Sequence, residues 1–114
     1  MIYHITTRTE WKDARKTGSY RADSLESQGF IHCSKLEQVV NTADHYFRGR
    51  EGLVLLCIDE KRLRAEVRYE NLEGGKELFP HIYGVLNLEA VTGAVNLKPL
   101  PSGEFVLPEG LGTA

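Results

Sequence analysis

Apolar and polar residues form short runs of two kinds along this chain, strict alternation and unbroken apolar stretches, and both predict β-strands. The runs lie at residues 2–6, 29–33, 53–58, 66–69, 78–83, 88–97 and 105–107. The run 53–58 is apolar throughout, which predicts a central strand buried on both faces. Gly93 interrupts the run in which it lies. Pro80 cannot donate a hydrogen bond to a neighbouring strand, so we expect residues 78–83 at a sheet edge or a bend.

The first helix is predicted by a capping box. In Thr7-Arg8-Thr9-Glu10 the Thr7 hydroxyl is placed to accept from the third backbone N–H of a helix, and Glu10 to reach back to the cap. This helix is expected to run to about Lys16 and to end at Gly18 in the left-handed conformation.

A second helix is predicted after residue 33. Ser34-Lys35-Leu36-Glu37 repeats the capping-box pattern, so Ser34 is predicted to be the cap, and Gly49 supplies the stop. The apolar residues between them recur at helical spacing. They are Leu36, Val39, Val40, Ala43 and Phe47. Residues 19–28 are polar and predict a loop or an irregular edge segment.

The predicted order of elements is strand, helix, strand, helix and then strands only. This order predicts an α+β fold in which two N-terminal helices cover part of a mixed, largely antiparallel sheet. A chain of 114 residues suits a single hydrophobic core. We therefore predict one domain over residues 1–107 and a flexible C-terminal tail over residues 108–114.

Charge and cysteine content narrow the class of protein. The chain has 14 basic and 16 acidic residues, a net charge of −2, and no basic cluster, which disfavours binding to duplex DNA. No apolar run reaches the ~20 residues that span a bilayer, and the first residues alternate instead of forming a secretory signal. Cys33 and Cys57 lie in apolar runs without C-x-x-C spacing and are predicted to be buried, reduced thiols. These features predict a soluble, cytoplasmic protein.

Histidines supply the candidate chemistry. His4, His32 and His81 each lie in an apolar, strand-like run, and we predict that they line one polar pocket. A single histidine in such a setting is usually a hydrogen-bonded core residue, and burying three requires partners for their ring nitrogens. Their long spacings and the lack of an H-x-x-x-H element disfavour a zinc site, so no metal is expected. His45 lies near the end of the second helix, where the helix dipole favours a cation, and is predicted to be structural.

The stretch around His32 predicts an anion site. His32 and Ser34 lie where a strand runs into a helix, and the unpaired backbone N–H groups at such a junction can hold a carboxylate or a phosphate. The alternative is that Ser34 serves only as a helix cap.

The stretch around His81 predicts a binding surface for a ring. Phe79, His81 and Tyr83 alternate with other residues and so share one face of a strand. An aromatic face with an imidazole and a phenol suits a flat ring or a ribose, and the alternative is that it faces the core. Asp59 and Glu70 end strands, where an acid acts as a general base, orients a histidine or caps a turn.

Several segments together resemble the uncharacterised family called domain of unknown function 952. They are Tyr3-His4-Ile5-Thr6, Trp11, Gly29-Phe30-Ile31-His32-Cys33-Ser34, Ile58-Asp59 and Phe79-Pro80-His81-Ile82-Tyr83-Gly84. The resemblance runs from Ile2 to about Leu97, and the two histidine-bearing hexapeptides are its most specific parts. This family is distantly similar to the ADP-ribosyltransferase-like fold, which includes the RNA 2'-phosphotransferases. That similarity implies a split-sheet α+β domain with a cleft for NAD.

The same resemblance implies roles for individual residues. His4 matches a first-strand histidine that contacts the NAD ribose, and the cofactor-binding set that follows is His4, Thr6, His32 and Ser34. The implied catalytic set is His81, Tyr83 and His32, with His81 as acid or base. Enzymes of this fold commonly use a glutamate on a late strand, where this chain offers His81 and Tyr83. The RNA phosphotransferases also need arginines beside their histidine, and we expect none here in a comparable strand.

The predicted function is therefore that of a transferase, of the ADP-ribosyl or phosphoryl type, which acts on NAD or a related ribosyl phosphate. The alternative is a non-catalytic module that binds a small anionic metabolite or a protein partner. A hydrolytic metal enzyme is the third hypothesis.

Overall fold

Strands and helices alternate in the first part of the chain, and strands dominate the rest. The computed structural model describes residues 1–71, 74–109 and 111. Its elements are β1 (Ile2–Thr7), α1 (Arg8–Thr17), β2 (Ser19–Tyr20), α2 (Asp23–Gln28), β3 (Ile31–His32), α3 (Val39–Tyr46), β4 (Leu53–Ile58), β5 (Glu66–Glu70), β6 (Phe79–Tyr83), β7 (Leu86–Asn87) and β8 (Val91–Leu97). This order confirms the α+β class. No helix in the described residues has the length and apolar character that crossing a membrane requires.

The strands form small sheets, and every strand pairing in the described residues is antiparallel. One three-stranded sheet has the order β1-β4-β8 and a second has the order β3-β6-β5, while β2 and β7 form a separate pair. All six residues of β4 are buried, which confirms the predicted central strand. The predicted mixed, largely antiparallel sheet is therefore divided into pieces, and the described pairings are all antiparallel.

In the described residues, one backbone bridge joins the two three-stranded sheets. The Tyr3 N–H donates to the Ser34 carbonyl at 2.9 Å, and the Ser34 N–H donates to the Tyr3 carbonyl at 2.8 Å. Beyond this bridge β1 and β3 separate. The His32 carbonyl accepts from Nδ1 of His4 at 2.5 Å, so a side chain occupies the next acceptor after the bridge.

Two hydrophobic clusters lie on opposite faces of β4, because alternate residues of a strand point to opposite sides. Val54, Leu56 and Ile58 face a cluster with the helix residue Ala14 and with the inner face of the sheet β3-β6-β5. The other three residues of β4 face the second cluster, which α3 covers. Its buried members are Tyr3, Val39, Ala43, Leu53, Leu55, Cys57, Leu97 and Phe105. Both cysteines are buried and unpaired, as predicted.

The first helix follows its prediction closely. The Glu10 N–H donates to the Thr7 hydroxyl at 3.1 Å, and Gly18 ends the helix with a φ of 94°. Ala14 is buried on the inner face of this helix.

The prediction of a loop or an irregular edge segment over residues 19–28 missed α2, although β2 in the same segment is only two residues long. Helix α2 has six residues, none of them buried, and Leu25 only packs against the edge of the core. Its apolar periodicity is therefore too weak to detect in the sequence. Gly29 ends α2 with a φ of 87°, so β3 spans only Ile31–His32 where a strand over 29–33 was predicted. The described chain has three α-helices and not the expected two.

The prediction that Ser34 caps the second helix is also wrong. The backbone of Ser34 is held in the bridge to Tyr3, and its hydroxyl donates to the Thr42 hydroxyl at 3.2 Å. A 3-10 turn over Leu36–Gln38 precedes α3 instead. Gln38 secures this turn, since its Oε1 accepts from the Lys35 N–H at 2.9 Å while its Nε2 donates to the Leu78 carbonyl at 2.9 Å.

Three strand predictions need correction. β6 lies in the middle of its sheet. Pro80 is tolerated there because the backbone edge that lacks an N–H faces Cys33, just past the end of β3, where its carbonyl accepts from the Cys33 N–H. Residues 105–107 form no strand, because the Phe105 N–H donates to the Asp44 carboxylate at 2.7 Å. The run 88–97 begins with a 3-10 turn, so β8 starts only at Val91. Gly110 and residues 112–114 lie outside the described residues, so the flexible tail over 108–114 stays a prediction.

Replacement of Gln38 by methionine tests how firmly α3 is attached to the start of β6. Gln38→Met keeps the volume but leaves two backbone groups without their partner, and we expect the free energy of unfolding to fall by about 1–3 kcal/mol. Urea denaturation measures this loss. Glu37→Met, at the exposed neighbouring position, is the control and is expected to change stability by less than about 0.5 kcal/mol. Equal stability of the two variants would contradict the assignment.

Candidate functional site

The outer face of the sheet β3-β6-β5 carries the candidate chemistry. Paired residues of neighbouring strands point to the same side, and His81 is paired with His32 on one side and with Arg68 on the other. Glu70 is paired with Phe79, and Glu66 with Tyr83. The opposite face belongs to the core and carries Ile31, Val67 and Ile82. The predicted shared face of Phe79, His81 and Tyr83 is therefore present and points away from the core.

A cleft of about 920 Å³ opens where β1 and β3 separate. The outer face of the sheet forms one wall, and helix α3 forms another. His4, His32 and His81 all line it, together with Ser34, so the predicted convergence of the three histidines is present. Tyr83 flanks the cleft beside Phe30, with the two ring centroids 5.3 Å apart.

His81 and Glu70 form the central pair of the cleft. Nδ1 of His81 lies 2.9 Å from Oε1 of Glu70, and the Tyr83 hydroxyl donates to the same oxygen at 2.6 Å. The pKa of Glu70 is lowered, chiefly by the hydrogen bond from Tyr83 and next by the hydrogen bond from His81. The hydrogen bond to Glu70 in turn raises the pKa of Tyr83. Because the carboxylate takes the proton on Nδ1, the neutral His81 ring carries its lone pair on Nε2. The predicted option that Glu70 orients a histidine matches this geometry.

Aromatic rings pack around the same pair. The Phe30 ring stacks on the His81 ring with centroids 4.2 Å apart and planes 22° apart. His32 lies edge-on to both rings, at 4.9 Å from Phe30 and 5.4 Å from His81. His81 is only 5% exposed, whereas His32 is exposed. The Gln28 side chain of α2 lies 2.6 Å from Nε2 of His32, so the helix that the sequence failed to predict supplies a partner for a predicted residue.

His4 has hydrogen-bond partners at both ring nitrogens. Nδ1 donates to the His32 carbonyl at 2.5 Å, and Nε2 lies 2.8 Å from the Tyr20 hydroxyl. The Tyr20 hydroxyl also lies 3.0 Å from the Thr6 hydroxyl. Burial lowers the pKa of His4 to about 4 and raises the pKa of Tyr20 to about 12. A neutral His4 satisfies this chain, with Thr6 donating to Tyr20 and Tyr20 donating to Nε2. Thr6 thus lies behind His4 and bonds to Tyr20.

Arg68 is a residue beside the site that was not predicted from the sequence. It lies on β5 directly opposite His81, so an arginine lies beside one of the strand histidines. Its guanidinium lies 4.3 Å from the centroid of the Tyr83 ring, and its Nε donates to Glu66 at 2.7 Å. The alternation over residues 66–70 contains the signal, since it places Glu66, Arg68 and Glu70 on one face.

Asp59 is not among the residues that line the cleft, whereas His45 lines it. Asp59 caps a turn, because its carboxylate accepts from the Lys61 N–H at 3.0 Å, which matches the simpler of its predicted roles. His45, predicted to be structural, lines the cleft from α3 with Asn41 and Tyr46. In the described part of the chain, no group of three or more His, Cys, Asp or Glu side chains is arranged to hold a metal ion.

Comparisons with known proteins place the chain in a family without an assigned activity. Residues 5–94 match the family described as "Protein of unknown function (DUF952)". The crystal structure of protein CC0527 from Caulobacter crescentus is 36% identical, with a TM-score of 0.83, and the match covers 93% of each chain. The solution NMR structure of the same protein is 36% identical with a TM-score of 0.79, over 90% of this chain and 89% of that chain.

The chain therefore belongs to the DUF952 family. Among proteins with curated functions, none matches it. The family assignment confirms the resemblance carried by the histidine-bearing segments, and its shared α+β architecture agrees with the predicted fold class.

The depressed pKa of His4 predicts a pH dependence of stability. His4 titrates near pH 4 when folded and near its ordinary 6.5 when unfolded, so the unfolded chain binds more protons between these values. As far as His4 is concerned, the free energy of unfolding is highest above pH 6.5. It falls by about 3 kcal/mol in all as the pH decreases from there to below 4.

Urea denaturation of wild type and His4→Gln across this pH range measures the difference, and His45→Gln, at an exposed position, is the control. The His4→Gln curve is expected to be flatter than the other two. In the wild type, the NMR signal of the His4 ring is expected to titrate near pH 4. Parallel curves together with a His4 titration near pH 6.5 would contradict the assignment.

Proposed function

We propose that this protein is an ADP-ribosyltransferase-like enzyme that acts on NAD or a related ribosyl phosphate in the histidine-lined cleft. The observation that carries the proposal is the meeting of His32, His81 and Glu70 at one wall of that cleft. A histidine oriented by a carboxylate is the usual arrangement of a general base, and it is placed here in a cleft of ligand size.

The aromatic and acidic groups of this wall favour a cationic ring. Phe30 and Phe79 supply aromatic surface, and Glu70 supplies a carboxylate whose pKa is lowered, so it is ionised near neutral pH. A positively charged pyridinium, such as the nicotinamide of NAD, is attracted both to aromatic faces and to a carboxylate. Neutral nicotinamide loses this attraction when it leaves, which favours its release.

The proposed reaction breaks the bond between the ribose C1' and the nicotinamide nitrogen, and the electron pair leaves with nicotinamide. An oxygen of water or of an acceptor hydroxyl forms the new bond to C1'. Its proton passes to Nε2 of His81, and Glu70 stabilises the resulting imidazolium. His32 and Ser34 then face the phosphate or the carboxamide, and Tyr83 holds the position of Glu70 through its hydroxyl.

His4 forms the ribose end of the cleft in this proposal, and Thr6, which lies behind it, supports it through the Tyr20 hydroxyl. Both are bonded to the Tyr20 hydroxyl, so a ribose hydroxyl that reaches this end competes with Tyr20 for Nε2 of His4. The split between β1 and β3, with a first-strand histidine at its opening, supports the similarity to the ADP-ribosyltransferase fold. A glutamate is also present at this wall, since Glu70 lies on the strand next to that of His81 and bonds to it.

Binding experiments test the ligand class. Calorimetry and NMR titration with NAD, ADP-ribose and a 2'-phosphorylated ribose are expected to give binding below millimolar concentration, with shifts at His4, His32 and His81. NAD is expected to bind more tightly than its reduced form, because only the oxidised ring is cationic. A lack of binding below millimolar for all three ligands, without histidine shifts, would remove the proposal.

Turnover experiments separate an enzyme from a binding module. Release of nicotinamide from NAD, followed by chromatography, is expected to fall by about 10²–10⁴-fold in His81→Ala and in Glu70→Gln. Glu66→Gln is the matched control, because Glu66 lies on the same strand and face but bonds to Arg68. A wild-type protein that binds NAD but releases no nicotinamide, with or without an acceptor alcohol, would instead favour the non-catalytic module.

A further inference from the structure

Ser34 and Thr42 place two hydroxyls side by side in the cleft. The Ser34 hydroxyl donates to the Thr42 hydroxyl at 3.2 Å, and both residues line the cleft. In the described part of the chain, neither hydroxyl has a second hydrogen-bond partner. Two hydroxyls carry two protons, and the bond between them uses one. One proton and several lone pairs therefore remain for a ligand, whichever hydroxyl donates to the other.

This hydroxyl pair lies on the same side of the chain as the histidines. Ile31 and Cys33 belong to the core, whereas His32 and Ser34, which alternate with them, line the cleft. Two residues of extended chain separate their Cα atoms by about 7 Å. His32 is in turn paired with His81. A six-membered ring with one substituent is thus long enough to lie at the paired histidines and to reach the hydroxyl pair.

The surroundings of the hydroxyl pair favour an uncharged ligand group. Tyr3 exchanges two backbone hydrogen bonds with Ser34, and Gln38 and Asn41 precede Thr42 by four and one positions. These three residues line the cleft and carry no charge. A carboxylate or a phosphate at this place would lose its hydration without a cation to pair with. A neutral group with both a donor and an acceptor exchanges its bonds to water for bonds to the two hydroxyls.

We propose that Ser34 and Thr42 form a subsite for a primary carboxamide. A carboxamide carries an NH2 donor beside a carbonyl acceptor. The remaining hydroxyl proton donates to the carbonyl oxygen, and a lone pair of the other hydroxyl accepts from the NH2 group. A ketone or a carboxylate lacks the donor and leaves this lone pair without a partner, so the hydroxyl pair selects an amide over both.

This inference deepens the proposed function and rests on it for the identity of the ligand. It directs the carboxamide of nicotinamide to Ser34 and Thr42 while the ring lies at the wall with His81. The tests are nevertheless separate. Free nicotinamide carries the carboxamide without the ribose or the positive charge and tests the hydroxyl pair, whereas binding and turnover of NAD test the proposed reaction.

The experiment is an NMR titration of the full chain with nicotinamide and with 3-acetylpyridine, in which a methyl group replaces the NH2. Nicotinamide is expected to shift the signals of Ser34 and Thr42 and to bind about fivefold more tightly than 3-acetylpyridine. In Thr42→Val and in Ser34→Ala, the one remaining hydroxyl bonds to the carbonyl that both ligands share. The preference is therefore expected to fall below about twofold in these variants.

Two further variants guard against a merely structural effect. Thr42→Ser keeps both hydroxyls and is expected to keep the preference for nicotinamide. Thr9→Val removes the hydroxyl of an exposed threonine on α1 and is expected to behave as the wild type does.

Each outcome decides between the two proposals. If nicotinamide shifts Ser34 and Thr42 with the expected preference but NAD does not bind, the carboxamide subsite stands and the proposed reaction falls. If NAD binds and releases nicotinamide, but Thr42→Val and Ser34→Ala leave the preference unchanged, the proposed reaction stands and the subsite falls. A wild type that binds both pyridines equally, or that shows no shift at Ser34 and Thr42 up to millimolar nicotinamide, would also overturn the subsite.

Discussion

The cleft depends on one hydrogen bond, from the imidazole of His4 to the backbone carbonyl of His32. Tyr3 and Ser34 exchange two backbone hydrogen bonds, and in an antiparallel ladder the next such pair would be Ile5 with His32. The side chain of His4 takes the His32 carbonyl instead, so the ladder stops after one bridge and the two strands part. The polar group that ends the ladder thereby satisfies the carbonyl that the split would otherwise leave unpaired.

The position of the split decides which side chains become available. Because β3 has only two residues, its partner β6 is held mainly by β5, and the outer face of these strands is directed at the opening. Phe30 stacks on a face of the His81 ring, and Glu70 bonds to its Nδ1. Gln38 then ties the turn before α3 to the chain just before β6, which fixes the distance between the two walls. The cleft is therefore bounded by packed elements rather than by loops alone.

Much of the fold could be predicted from the sequence, because strong local signals and tertiary packing agree there. The strands β1, β4 and β5, the cap at Thr7 and the end at Gly18 all follow from alternation or from capping chemistry. Helix α2 could not be predicted, because none of its side chains is buried and its sequence therefore lacks a clear apolar periodicity. Ser34 was misassigned for a related reason, because a long-range backbone bridge outweighed a local capping pattern.

For the site, the sequence predicted the identity of the histidines and one possible partner, Glu70, but not the other partners. The convergence of His4, His32 and His81 was predicted from their similar strand settings. The position of Arg68 opposite His81 depends on strand register, which a sequence does not reveal. Tyr20 was equally hidden, since it approaches His4 from a two-residue strand in a segment predicted to be a loop. Local patterns thus miss the residues that reach the site from a strand distant in the sequence.

Two of these histidines show how partners decide the chemistry of one residue type. His4 and His81 are similarly buried, at 8% and 5% exposure, and each gives its Nδ1 proton to an oxygen acceptor. The acceptor of His4 is a neutral carbonyl and its Nε2 faces the Tyr20 hydroxyl, so desolvation prevails and the ring stays neutral. The acceptor of His81 is a carboxylate oxygen of Glu70, which also accepts from the Tyr83 hydroxyl. His4 is thus held as a neutral residue between two hydrogen-bond partners, whereas His81 is bonded to an acid whose pKa is lowered.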